Sequence, residues 1–135
     1  SCRPASIVDA SRHLCHRAHA RRGGTIASMS VLVAYCTCPD ADSAARVARA
    51  LVDERLAACV TRLPATRSCY RWEGKVEEAT EELLMIKTTA ARLEALERRL
   101  HELHPYDVPE FLTVPAGGSR AYLDWVADMT GAPSP

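Results

Sequence analysis

From residue 31 onward, the hydrophobic pattern of this chain alternates between strand-like and helical in the order β-α-β-β-α-β, with one more helix behind it. The run Val31 to Cys36 is apolar without a break, as in a central strand covered on both faces. Asp40 or Asp42 then offers an N-cap to the segment 43–57. There Ala45, Ala48, Leu51, Val52 and Leu56 share one helical face, with Arg46, Arg49 and Asp53 mostly opposite. Residues 57–64 and 68–72 read as extended structure interrupted at Pro64, and Glu73-Gly74 is a turn leading into a strand over 75–88. Glycine at 74 accepts the positive φ that such a turn demands.

The segment 89–104 carries the clearest helical signal. Leu93, Leu96, Leu100 and Leu103 form one stripe, Glu94 and Arg98 stand four apart, and Pro105 stops the helix. Residues 110–115 predict a fourth strand, and residues 120–129 a closing helix that ends at Gly131. This order predicts an α+β, ferredoxin-like domain over 29–131, a sheet with two helices on one face. Its second face is then uncovered, and its hairpin is too long for so small a domain. Both features call for further copies of the same chain.

Composition narrows the function classes. At 135 residues, 47% hydrophobic and 25% charged, the chain fits one globular domain. No apolar run reaches the roughly 18 residues of a membrane-spanning helix. Residues 1–28 hold five arginines against one acid, which leaves 12 basic and 16 acidic residues elsewhere, a net charge of 12 − 16 = −4. A body of that sign repels phosphates and argues against nucleic acid as a partner. Residues 1–28 show no sustained periodicity and are expected to be a poorly ordered or non-native extension, with 132–135 a short tail. His13, Cys15, His16 and His19 in the extension are a weak zinc signal. The six cysteines are unevenly spaced, and Cys59 and Cys69 fall within strand-like runs as small buried hydrophobes. The expected compartment is therefore the cytoplasm.

Two short motifs carry chemistry. On a strand, Cys36 and Cys38 point to the same face about 6.6 Å apart, a spacing awkward for a disulfide. Such thiols can share a soft ion such as Cu(I), but two donors alone specify little, and two small core residues explain them as well. His101 and His104 lie near one face of a helix end, as metal ligands or as cations at the helix C-terminus. Glu77, Glu78, Glu81 and Glu82 split between strand faces, the pattern of a solvated hairpin edge. There is no P-loop, nucleophile elbow or HExxH, and no asparagine or glutamine at all, so the chain reads as non-enzymatic.

The pieces YCTCPD, ERLAACVTRLP, SCYRWEGKVEE, LLMIKTT, HPYDVPE and YLDWV run in order from residue 35 to 126, and together they resemble the CutA divalent-cation-tolerance family. The resemblance implies a homotrimer whose long hairpins wrap neighbouring subunits, with architectural kinship to the PII signalling proteins. It implies copper binding and tolerance to metal ions without an enzymatic reaction. The family's copper site uses a cysteine that matches Cys36 and two successive histidines before Pro-Tyr. His104 matches the second histidine, whereas Leu103 stands where the first would be. Cys38 and His101 are then the candidate helpers. The alternative the family suggests is a PII-like sensor with a small ligand in the cleft between subunits, near Trp72, Lys87, Tyr106 and Glu110.

Overall fold

In the computed structural model, residues 30–131 are described, so the expectations for 1–28 and 132–135 lie outside the described residues. Four strands form one antiparallel sheet: β1 (Val31–Cys38), β2 (Cys59–Trp72), β3 (Lys75–Thr89) and β4 (Leu112–Pro115), in the spatial order β2-β3-β1-β4. Three helices complete it: α1 (Ala41–Asp53), α2 (Ala90–Leu103) and α3 (Arg120–Met129). This is the predicted ferredoxin-like order. None of these helices is long and apolar enough to cross a membrane.

Alternation along β1 sorts the two faces. Ala34, Cys36 and Cys38 point to one side, where they pack with Leu84 and Ile86 of β3, Val47 and Leu51 of α1, and Leu96 and Leu100 of α2. Val31 points to the other side, and there the expectation of an uncovered face needs correcting. Trp125 and Val126 of α3 pack against Val31 and Ala58, so α3 closes one end of that face. Arg92 Nε of α2 donates to Thr130 O at 2.7 Å and secures the end of α3.

Helix α1 starts where the capping argument places it. Asp40 accepts from the backbone N–H of Ser43 at 2.7 Å, which satisfies a donor the helix itself cannot. The helix ends earlier than residue 57, because Arg55 adopts a left-handed φ of 60° and both Leu56 N–H and Ala57 N–H return to Leu51 O. This turn buries Leu56 and delivers Ala58 to the start of β2. An arginine in that conformation carries no sequence signal. The strand expected over 110–115 begins only at Leu112, since Tyr35↔Leu112 is the last β1–β4 pair. The Glu94–Arg98 pair does not form; Arg99 instead holds Glu54 at 3.0 Å and Glu102 at 3.1 Å.

The hairpin is long and divides into two parts. Between Leu63↔Leu83 and Thr66↔Glu81, β2 holds one residue more than β3, a bulge at Pro64 and Ala65, and Ala65 has φ 57°. Proline fits there because it has no N–H for the ladder. Beyond the bulge the strands pair with each other alone, up to a two-residue turn in which Glu73 (φ 48°) and Gly74 (φ 78°) both have positive φ. This outer arm exposes Tyr70, Trp72 and Val76. Cys69 on the arm is exposed and Cys59 half-buried, so neither is the buried hydrophobe expected of it.

Candidate metal centre

Three elements end at one place. Strand β1 finishes with Thr37 and Cys38, helix α2 stops before Pro105, and the inner part of the hairpin places Glu81 and Glu82 beside them. Cys36 and Cys38, one residue apart on a strand, present both sulfurs to the core side, and His104 is delivered from the C-cap of α2. One ligand atom from each of Cys36, Cys38 and His104 lies within 4.8 Å of the others, and all three residues are buried. Three donors held about 2.3 Å from one ion in a plane stand about 4 Å apart. The three side chains therefore need to close by less than an ångström to share an ion. Two sulfurs and one imidazole are a soft set that suits Cu(I) or zinc.

The sulfurs titrate as a pair. Hydrogen bonding to Cys38, burial and the neighbouring Cys38 charge push the Cys36 thiol far up, while the same bond, accepted by Cys38, pulls the Cys38 thiol down. The Cys36 thiol also donates to Thr37 O at 3.7 Å. Carboxylates surround the pair: Glu110 and Glu81 oppose ionisation of Cys36, and Glu82 and Asp40 that of Cys38. The same negative charge favours an arriving cation.

His104 is fixed at both ring nitrogens. Its Nε2 lies 2.8 Å from Thr37 O, and its Nδ1 lies 3.1 Å from the backbone N of Tyr106. A carbonyl only accepts and an amide N–H only donates. The ring therefore carries its proton on Nε2 and its lone pair on Nδ1. Tyr106 continues the contact, with its ring centroid 4.9 Å from that of His104 and its hydroxyl donating to Glu81 Oε2 at 3.2 Å. Burial, and then the Glu81 charge, push the Tyr106 hydroxyl up to about 12.

The remaining candidates separate. His101 is exposed, with Nδ1 at 2.9 Å from Glu97 O of its own helix, and stands outside the cluster. Trp72 sits at the far tip of the arm. Lys87 is on the sheet face opposite the sulfurs, donating to Thr61 Oγ1 and approaching Cys59 Sγ at 3.9 Å. Within one chain, only Tyr106 and Glu110 of the four expected cleft residues are neighbours of the sulfurs.

Two acids depart from the expected solvated edge. Glu81 and Glu82 are 8% and 6% exposed, whereas Glu77 and Glu78 are exposed as expected. Glu82 stands directly across from Cys38 and is held by Arg62 Nε, while the Arg62 Nη2 reaches Ala41 O at 3.2 Å. The β1–β3 register that sets Glu82 beside Cys38 is a long-range pairing that residue type does not signal.

Comparisons with known proteins bear on the family and the fold. A family model described as "CutA1 divalent ion tolerance protein" matches residues 32–129. A divalent-cation tolerance protein CutA of Thermus thermophilus is 48% identical over 100 residues, 73% of this chain and 97% of its own length. The rice protein CutA 1, chloroplastic, is 41% identical over 120 residues, 88% of this chain and 68% of its own. The crystal structure of CutA from Xylella fastidiosa superposes with a TM-score of 0.74 at 46% identity, covering 76% of this chain and 99% of that one.

Proposed function

The chain belongs to the CutA1 divalent ion tolerance family, and on that premise we propose that it is a non-enzymatic homotrimer that binds one soft metal ion per chain. The ion is held by Cys36, Cys38 and His104, with Cu(I) favoured by the two sulfurs. The observation that carries this reading is the buried convergence of two thiols and an imidazole within 4.8 Å. Cys38 takes the place of the first histidine, because Leu103 at that position has no donor and packs against the core. When bound, the ion is sequestered from water and from redox partners, which is what metal tolerance requires chemically. The trimer is supported by apolar surface with no layer over it in one chain: Tyr70, Trp72 and Val76 on the arm, and Leu112 and Val114 on β4.

The test is an anaerobic Cu(I) competition titration against a chromophoric chelator, with the oligomer followed by sedimentation. One tight site per chain is expected. Binding is strongly weakened in Cys36→Ala, Cys38→Ala and His104→Ala, unchanged in His101→Ala, and the trimer persists in each. Unchanged binding in the three variants would sink this site.

A second reading is a PII-like sensor that takes a small acid between subunits, near Trp72, Lys87, Tyr106 and Glu110. It is favoured by Lys87, whose ammonium is only half-buried on the open sheet face. A thermal-shift screen of nucleotides and small acids tests it, since a ligand of the native state raises the melting temperature.

A further inference from the structure

The three side chains hold one ring nitrogen that cannot take an ion without moving something else. The only lone pair on the His104 ring is on Nδ1, and it is already occupied by the Tyr106 N–H at 3.1 Å. An ion at Nε2 would force the ring proton onto Nδ1, where it would face the Tyr106 N–H donor to donor. An ion at Nδ1 leaves Nε2–H on Thr37 O, the arrangement a ligating histidine adopts when its second nitrogen donates to a backbone carbonyl. The price of that choice is the Tyr106 N–H, which must leave.

Resting on the metal-binding reading above, we propose that His104 coordinates through Nδ1 and that ion uptake thereby opens a latch between Tyr106 and Glu81. Tyr106 follows Pro105 directly and is tied at both ends: its amide to His104 and its hydroxyl to Glu81 Oε2 at 3.2 Å. With φ of Pro105 fixed, the Tyr106 N–H leaves Nδ1 by rotation of the 105–106 peptide about ψ of 105 and φ of 106, and Tyr106 shifts with it. Its hydroxyl then leaves Glu81, which lies on β3 at the bulge where the arm begins. The state of the metal centre is in this way reported to the base of the hairpin. Tyr106 is a positioning residue that holds the empty form, and it opposes the ion rather than helping it.

The sign of that effect makes it testable. Tyr106→Phe keeps the Glu81 charge and removes the latch from the empty form alone. With one hydrogen bond fewer to break, the variant is expected to bind Cu(I) about two- to tenfold more tightly than the native chain in the chelator competition. In parallel, long-range ¹H–¹⁵N correlation spectra of the full chain, with His104 assigned through His104→Ala, report the ring directly. The expected spectra show an Nε2–H ring before Cu(I), and after it a ring still protonated on Nε2 with its Nδ1 resonance displaced. Cu(I) on Nε2 would overturn the assignment of the ligating nitrogen, and equal or weaker binding by Tyr106→Phe would overturn the latch, each leaving the metal site in place. Absence of Cu(I) binding by the native chain would overturn the metal-binding reading itself, and the latch with it.

Discussion

The two halves of the hairpin use the same strands under opposite conditions. Inside the bulge, β3 contributes Leu84 and Ile86, fully buried between the helices and β1. Outside it, the pairs Arg67↔Thr80 to Trp72↔Lys75 have backbone partners and almost no side-chain cover. Within one chain, the inner half is held by burial of apolar surface and the outer half by its ladder and turn. A two-stranded ribbon with no layer on either face is marginal by itself, which supports the proposed trimer, whereas the body has its own core. The candidate metal centre sits where the two regimes meet.

The sharpest contrast comes from shortening side chains on either side of the bulge. Leu84→Ala is expected to cost about 2–5 kcal/mol by chemical denaturation, as lost transfer energy plus a cavity. Val76→Ala on the exposed arm is expected to cost no more than about 0.5 kcal/mol in the fold of the chain. A comparable loss at both positions would mean that the arm is packed within the chain. The junction comes next. Arg62→Met leaves the buried Glu82 carboxylate without its partner, and about 2 kcal/mol is expected, below the range for fully buried pairs because Arg62 is partly exposed. A neutral outcome would show that Glu82 is solvated in solution. At the tip, Gly74→Ala meets no atom within 4 Å, so its cost is conformational, about 1 kcal/mol from the positive φ. A larger loss would point to close packing around the tip in the assembly.

The element order and the two strand thiols were legible in the sequence because hydrophobic periods and turn residues report on local structure. Gly74 announced the turn, and Leu93, Leu96, Leu100 and Leu103 announced the helix that delivers His104. What was not legible depends on register. Glu81 and Glu82 resemble Glu77 and Glu78 in type and spacing, yet only Glu81 and Glu82 are buried, because they sit at the bulge and the end of β1 while Glu77 and Glu78 lie out on the arm. Arg55 and Ala65 adopt left-handed backbone under tertiary pressure that no local preference signals. The placement of α3 on the second face likewise depends on long-range packing of Trp125 and Val126.

The smallest expected effect is at the helix that leaves the junction. Accepting from the Ser43 backbone N–H and hydroxyl holds the Asp40 carboxyl below its ordinary value. A depressed folded pKa means stability that is present above the ordinary carboxylate range and is lost as pH falls through the folded value. Asp40→Asn still caps the helix but does not ionise. The native chain is therefore expected to lead this variant at neutral pH, with the gap closing in acid. Denaturation midpoints across that range check it, and a gap that stays constant with pH would remove the ionised cap from the explanation.

The claim at the centre is that two sulfurs and one imidazole from a single chain hold one soft ion. X-ray absorption at the copper edge, on the Cu(I)-loaded native chain and on Cys38→Ala, measures it most directly. Two sulfur neighbours and one nitrogen neighbour are expected in the native spectrum, with one sulfur lost in the variant. A native spectrum with a single sulfur, unchanged by Cys38→Ala, would contradict it.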